Sequence, residues 1–347
     1  MKRLLAVFIL CVFPVMPALA VKIASLYQAE LPVASQSEDT KSRAVKIGLL
    51  QVLIKISGDP DIGKNLIIRT SLNKADYYIQ EYSYSAATTD SSHFMLQIRY
   101  NPTDINRLLK KAGIAYWGEN RPLILVWLAT VSPQKGTEII GNEAPGGIYA
   151  AMTQQGKKYG LPLIFPMMDV ADVSQVSPAD ITQMATSVLQ DAGKRYAADA
   201  LLVGRFGQQD NVYQGEWQLI LGNNKWEFTS SGTTPEEAIG AVMSNISQTL
   251  AKYYKVQVSA TSPALWVKLE VSKIAQRNDL DSLIQYLKQL TAVQQVQLST
   301  ISDDVVELSV LIRGSSLSFQ QNASIGQHLV LKAQDEAENK LFYEWTR

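Results

Sequence analysis

The spacing of apolar positions changes along the chain, and the changes divide it into three stretches. From Leu26 to Val33, "LYQAELPV" alternates like a strand with one buried face, and Ser35 and Glu38 form an S-x-x-E capping box that predicts a helix behind it. The following "SRAVKIGLLQVLIKISG" is apolar around much of a helical circumference, so a buried helix closed by Gly58 is expected. A second helix is expected over Ile68–Gln80, then paired strands at "YSYSA" and "HFMLQIRY". A further helix should run from Pro102, suited to a first helical position, to Gly113. Together these predict an N-terminal α+β module over residues 21–117.

Beyond it, "PLILVWLATV" and "LPLIFPMM" are continuous apolar runs, as in parallel strands buried on both faces. "GGIYAAMTQQGKKYG" between them reads as a helix. "SPADITQMATSVLQDAGKRYA" predicts another, opened by Ser177 as cap, Pro178 at the first position and Asp180 at the third. "ADALLVGRF", "VYQGEWQLIL" and "NKWEFTSS" predict three strands, and Thr234 to Glu237 cap a helix reaching Tyr254. This is an α/β domain with a mixed sheet over residues 118–257. The run Leu123–Val131 has nine residues between Arg121-Pro122 and Ser132-Pro133, against the roughly 20 that a membrane-spanning helix needs. It is therefore expected to be the central strand of that sheet, with Trp117 closing the module before it.

Residues 258–264 are small, polar and Pro-containing, which predicts a linker. "LWVKLEV", "LDSLIQYLKQLT", "VQQVQLSTI", "VVELSVLIRG", "SLSFQQNASIG" and "HLVLKA" then give the order βαββαβ, a ferredoxin-like domain over residues 265–347, with "DEAENKLFYEWTR" as a docked tail. The fold class is thus multidomain, α+β and α/β.

Charge and address narrow the function. The chain's 32 basic and 32 acidic residues balance, which argues against electrostatic capture of nucleic acid or of an anionic membrane surface. "MKRLLAVFILCVFPVMPALA" has two basic residues, an apolar region and a terminal A-x-A, the pattern of a cleavable signal peptide. Its removal takes away Cys11, the only cysteine, so the mature protein is expected to be periplasmic, from a Gram-negative bacterium, free of disulfides and without a membrane span.

No H-E-x-x-H, G-x-S-x-G, phosphate-binding or dinucleotide-binding motif occurs. His93 and His328 read as structural, so no catalytic residue, metal or cofactor is expected. "GNEAPGG", Gly141–Gly147, precedes a helix and could offer N–H groups to an anion, but it lacks the lysine and hydroxyl of a phosphate loop. Asp169 and Asp172 follow the second expected strand, Arg205 ends the third, and Glu143 lies in the loop after the first. That is where α/β sheets bind ligands, and the set could take a cation, a sugar or a peptide; the simpler reading is solvated loop charge with local capping. Trp217 and Trp226 suit either a sugar platform or cross-strand packing, and the tyrosines from Tyr77 to Tyr84 read as packing.

The ordered set "LYQAELPV", "LLQVLIKISGD", "ADYYIQEYSY", "YWGENRPLILVWLA" and "ADALLVGRF" followed by "EWQL" resembles an exported bacterial family, domain-of-unknown-function family 2066. The resemblance implies export and brings no catalytic residues. The middle domain also looks like the amino-terminal domain of the Tol translocation protein B in the order of its elements. The resulting expectation is a non-catalytic binding or scaffold protein whose partner is another envelope protein or a cell-wall component. Two alternatives stay open. A hydrolase or transferase on envelope polysaccharide would need Asp169 and Asp172 in one cleft with their carboxyls about 5 to 10 Å apart. A small-ligand or anion sensor would need an open pocket at "GNEAPGG" and Arg205.

Overall fold

A computed structural model describes residues 26–86, 94–132, 136–142, 144, 146–256 and 264–346. The expected signal sequence with Cys11, His93, Glu143 and residues 258–263 of the expected linker lie outside them. The described chain is a mixed α and β structure with three sheets.

The first sheet holds β1 (Gln28–Val33), β2 (Ile79–Ala86) and β3 (Phe94–Tyr100) in the antiparallel order β1-β3-β2, with α1 (Glu38–Ser57), α2 (Leu66–Leu72) and α3 (Pro102–Lys111) around it. Helix α1 buries Val45, Leu49, Val52, Leu53 and Ile56 in this core and ends at Gly58 in the left-handed conformation, as expected. Its cap, however, is Ser37, whose hydroxyl accepts from the Thr40 amide, while Ser35 donates to Ser37. The expected Ile68–Gln80 helix stops at Leu72; a short 3-10 turn at Ala75–Tyr78 follows, and Ile79 enters β2. Tyr82 and Tyr84 favour the pleated surface, and pairing with β3 overrides the helical spacing before them.

The middle sheet holds β4 (Ile124–Ser132), β5 (Gly136–Ile140), β6 (Leu163–Ile164), β7 (Ala200–Gln209), β8 (Val212–Leu221) and β9 (Asn224–Gly232), with α4 (Gly147–Tyr159), α5 (Val170–Gln175), α6 (Pro178–Thr182), α7 (Thr186–Gly193) and α8 (Pro235–Tyr254). The order is β5-β4-β7-β8-β9, with β6 beside the start of β4. Strand β4 runs parallel to β6 and β7, and the other pairs are antiparallel. Ile124, Val126 and Leu128 lie under α4 and α8, while Leu125, Trp127 and Ala129 lie under α6 and α7. The apolar run is thus covered on both faces. Two expectations in this unit fail. The second strand shrinks to Leu163–Ile164, because Pro162 and Pro166 on either side have no N–H for a ladder. The Ser177–Ala197 helix is broken into α6, α7 and a 3-10 turn, with Met184 left-handed at the break.

The third sheet holds β10 (Ala264–Ser272), β11 (Val293–Ser302), β12 (Val305–Arg313), β13 (Leu329–Asp335) and β14 (Lys340–Trp345), with α9 (Arg277–Gln289) and α10 (Ser316–Ala323). Its order is β11-β12-β10-β14-β13. The expected docked tail is therefore a strand: β14 lies parallel to β10 and separates it from β13. The cause is its alternation, which buries Leu341, Tyr343 and Trp345.

The three units meet at Trp117–Arg121. Trp117 stacks on Tyr254 of α8, and the Arg121 guanidinium lies 3.7 Å above the Trp117 ring. Arg121 is fully buried and donates to the carbonyls of Gly118, Gly160, Lys55 and Trp117. Gly118 faces Thr291 of the C-terminal unit so closely that a Cβ would fall 2.0 Å from its hydroxyl oxygen. Asn120 donates to the Asn322 carbonyl, and Asp199 accepts from Leu123 at 2.8 Å and from Gly326 at 2.7 Å. The segment expected to separate two domains joins all three.

Lys55, buried in the last turn of α1, donates to the Gln28 carbonyl at 2.9 Å, and burial pushes its pKa down to about 8. Between that value and the ordinary value of about 10.4 the unfolded chain binds the extra proton, so stability rises with pH there. We expect the parent to gain about 2 kcal/mol between pH 8 and 10 and Lys55→Met to lack that gain in urea unfolding. Above pH 10 the sign reverses for buried phenols such as Tyr27, whose pKa burial raises to about 12. Equal slopes in parent and variant between pH 8 and 10 would show that Lys55 is not the titrating group.

Candidate functional site

Parallel strands β4 and β7 end side by side, and two adjoining hollows open at that end of the sheet. One, of about 840 Å³, is floored by β7 and β8 and includes Arg205, Gln214, Glu216 and Thr229. The other, of about 660 Å³, lies between β5, the first turn of α4 and the β7–β8 turn, and includes Glu138, Tyr149, Asn211 and Tyr213. Val131, Ser132, Phe206, Gly207 and Gln208 line both. The volumes are those of ordinary ligand sites.

Local sequence explains the shape. The β7–β8 turn is Asp210-Asn211, both left-handed, a two-residue hairpin turn of the kind these residue types tolerate. At Gly207 a Cβ would lie 2.6 Å from the Val131 carbonyl oxygen, so the two strand ends approach only with glycine there. The rings are set by neighbours: Tyr213 stacks on Phe206 with centroids 5.9 Å apart, and Tyr149 packs against Phe165 at 4.9 Å. Helix α4 begins behind Gly146, which supplies no capping side chain, so the end of "GNEAPGG" becomes part of the rim.

The acids and the arginine singled out in the sequence do not form one site. Asp169 caps α5 and binds Arg195 through both oxygens, at 2.8 and 2.7 Å. That hydrogen-bonded guanidinium holds the Asp169 carboxyl well below the usual carboxylate range. Asp172 is buried; it also meets Arg195, and accepts from Tyr196 and from the Met168 amide. Burial, followed by the bond to Asp172, pushes the Tyr196 phenol up to about 12. The two carboxylates are neighbours but lie outside both hollows, saturated as a cap for the turn into α5. Arg205 is on the hollow's wall, in a cross-strand ion pair with Glu216 at 2.6 Å. Glu143 lies outside the described residues.

Trp217 is buried in a notch made by Gly204 and Gly215, where a Cβ would fall within 2.4 Å of its ring, and its indole donates to Ser230. It is packing, as is Trp226 against Tyr253. His328 stacks on Trp345 with its Nδ1 at the Thr346 carbonyl. Among the described residues no group of three or more His, Cys, Asp or Glu side chains could hold a metal ion, and no helix is long and apolar enough to cross a membrane. Sequence reasoning missed Tyr149, Glu138, Asn211 and Tyr213. Only the Asp-Asn pair between two alternating runs signalled a turn whose side chains stand at a sheet end.

Residues 20–118 match a family described as a domain of unknown function (DUF8605). No curated protein matches the chain. Among solved structures, the chain is similar to a formyltetrahydrofolate deformylase from Pseudomonas putida KT2440 at 9% identity, over 56% of this chain and 90% of that one, with a TM-score of 0.16. It is also similar to the Kluyveromyces lactis allophanate hydrolase at 7% identity, over 79% of this chain and 67% of that one, with a TM-score of 0.18. Likeness at that level carries no argument about activity.

Proposed function

We propose that this is an exported, non-catalytic binding protein of the bacterial cell envelope, built of three domains, whose binding face is the open end of the middle sheet. The supporting observation is the pair of adjoining hollows at the carboxyl ends of β4 and β7, the place where open α/β sheets receive ligands. Polysaccharide cleavage by Asp169 and Asp172 has less support, because Arg195 and Tyr196 occupy both acids away from the hollows. The signal-like amino terminus and the resemblance to family 2066 support export, and an envelope protein or cell-wall component is the partner class that follows. The C-terminal domain is read as a ferredoxin-like sheet widened by β14. One of its faces carries Lys340 held between Glu270 and Glu307.

Photo-crosslinkers placed in living cells test this. Gln208, on the shared wall, is expected to capture an envelope component identifiable by mass spectrometry, whereas the same group at Lys268 on the third sheet is not. Recovery of nothing from Gln208 in folded, exported protein would overturn the proposal.

A further inference from the structure

We infer that the cleft takes an uncharged polyhydroxylated chain, a neutral oligosaccharide; this deepens the binding reading above and rests on it. Charge argues first. Glu138 and Asp210 at the rim disfavour an anion, and Arg205, the one cation among the described lining residues, is already paired with Glu216. A cation meets the opposite obstacle, because the first turn of α4, to which Gly146 supplies no capping side chain, presents its N–H groups and positive dipole end to the same space. The field left is one in which a neutral polar ligand loses least.

The remaining groups match sugars in kind. Gln208 and Asn211 bring amides that both donate and accept, as each sugar hydroxyl does, and the Thr130 hydroxyl, which donates to the Glu138 carbonyl, lines the same hollow. Tyr149 and Tyr213 are half-buried rings held by Phe165 and Phe206. A fixed aromatic face suits the apolar C–H face of a pyranose at little entropic cost. Shape favours a chain over a single sugar, since the hollow beside Tyr149 and Tyr213 has about 660 Å³, within the range that holds a drug-sized ligand.

Calorimetric titration of the full mature chain with maltohexaose and with the β-1,4-linked hexamer of N-acetylglucosamine tests the class, with inorganic phosphate, spermidine and an extended neutral hexapeptide as competitors. At least one oligosaccharide is expected to bind saturably and the competitors not. Asn211→Gly keeps the left-handed turn while removing the amide, and Tyr213→Ala removes the ring; each should weaken binding at least about tenfold while the variant melts like the parent. The inference is overturned by folded protein that binds neither oligosaccharide, by preference for a competitor, or by undiminished affinity in both variants. If the sugars fail while Gln208 still captures an envelope component, the ligand class falls and the binding reading stands; if both fail, both fall.

Discussion

Arg121→Ala is expected to cost about 3 to 5 kcal/mol of stability and to split a single urea transition into separate steps. The guanidinium donates to four carbonyls, those of Gly118, Gly160, Lys55 and Trp117. Alanine leaves them without that donor in a region water does not reach, at a penalty of roughly 1 to 3 kcal/mol for each that finds no substitute. The Lys55 carbonyl lies in the last turn of α1, and Gly160 caps the end of α4. The cation therefore sits at the negative ends of two helices and links the first unit to the second. Its stacking on Trp117 adds about 2 kcal/mol in a desolvated setting. Burial pushes the Arg121 pKa down, and that desolvation cost offsets part of this gain, so the net loss is smaller than the sum of the parts. Arg121→Lys keeps the charge but cannot fork toward three directions, so it should recover less than half of the loss. Urea unfolding followed by far-UV circular dichroism measures both, and a parent-like midpoint for Arg121→Ala would refute the lock.

What the sequence disclosed, and what it hid, follows from the range of the forces involved. Caps and stops are local. Gly58, Pro102, Ser177-Pro178 with Asp180, and Thr234-Pro235 each form or break bonds within a few residues, and all stand where local rules put them. The doubly covered β4 was legible because a strand buried on both faces needs apolar residues at every position. Long-range pairing was not. Nothing within ten residues of "LFYEW" announces that β10 will accept it as a parallel neighbour, and Met184 is left-handed in the folded chain although no glycine marks the break. The same holds for the site. Asp169 stands out in the sequence for its place after a strand, but the residue that decides its role, Arg195, lies on the far side of α5, α6 and α7. The cleft draws on β5, α4, β7 and β8, so only the assembled sheet brings Glu138, Tyr149 and Tyr213 together.

Val126→Asp is expected to abolish folding of the middle unit, the largest single effect considered. Val126 has no exposed surface; it lies at the centre of β4, level with Leu202 of β7, under α4 and α8. An aspartate there would enter the apolar cluster that holds Ala151, Met152 and Val242. Ionised, it bears an effective penalty of several kcal/mol; protonated, it still leaves a buried hydroxyl and carbonyl without partners. Added to the lost packing of the valine, either penalty is comparable with the total stability of a domain, about 5 to 15 kcal/mol. Val126→Thr separates polarity from shape, since it keeps the branched outline and buries one hydroxyl, so a loss of only about 1 to 3 kcal/mol and a folded protein are expected. Because Trp117, Tyr254 and Arg121 tie the neighbouring units to this one, the aspartate variant should also expose the Arg121 region to proteolysis. Limited chymotrypsin digestion reads that directly, by cleavage after the buried Trp117 in Val126→Asp and protection in Val126→Thr. Protection in both would mean that β4 tolerates a charge and therefore has a face open to water, contrary to a strand covered on both sides.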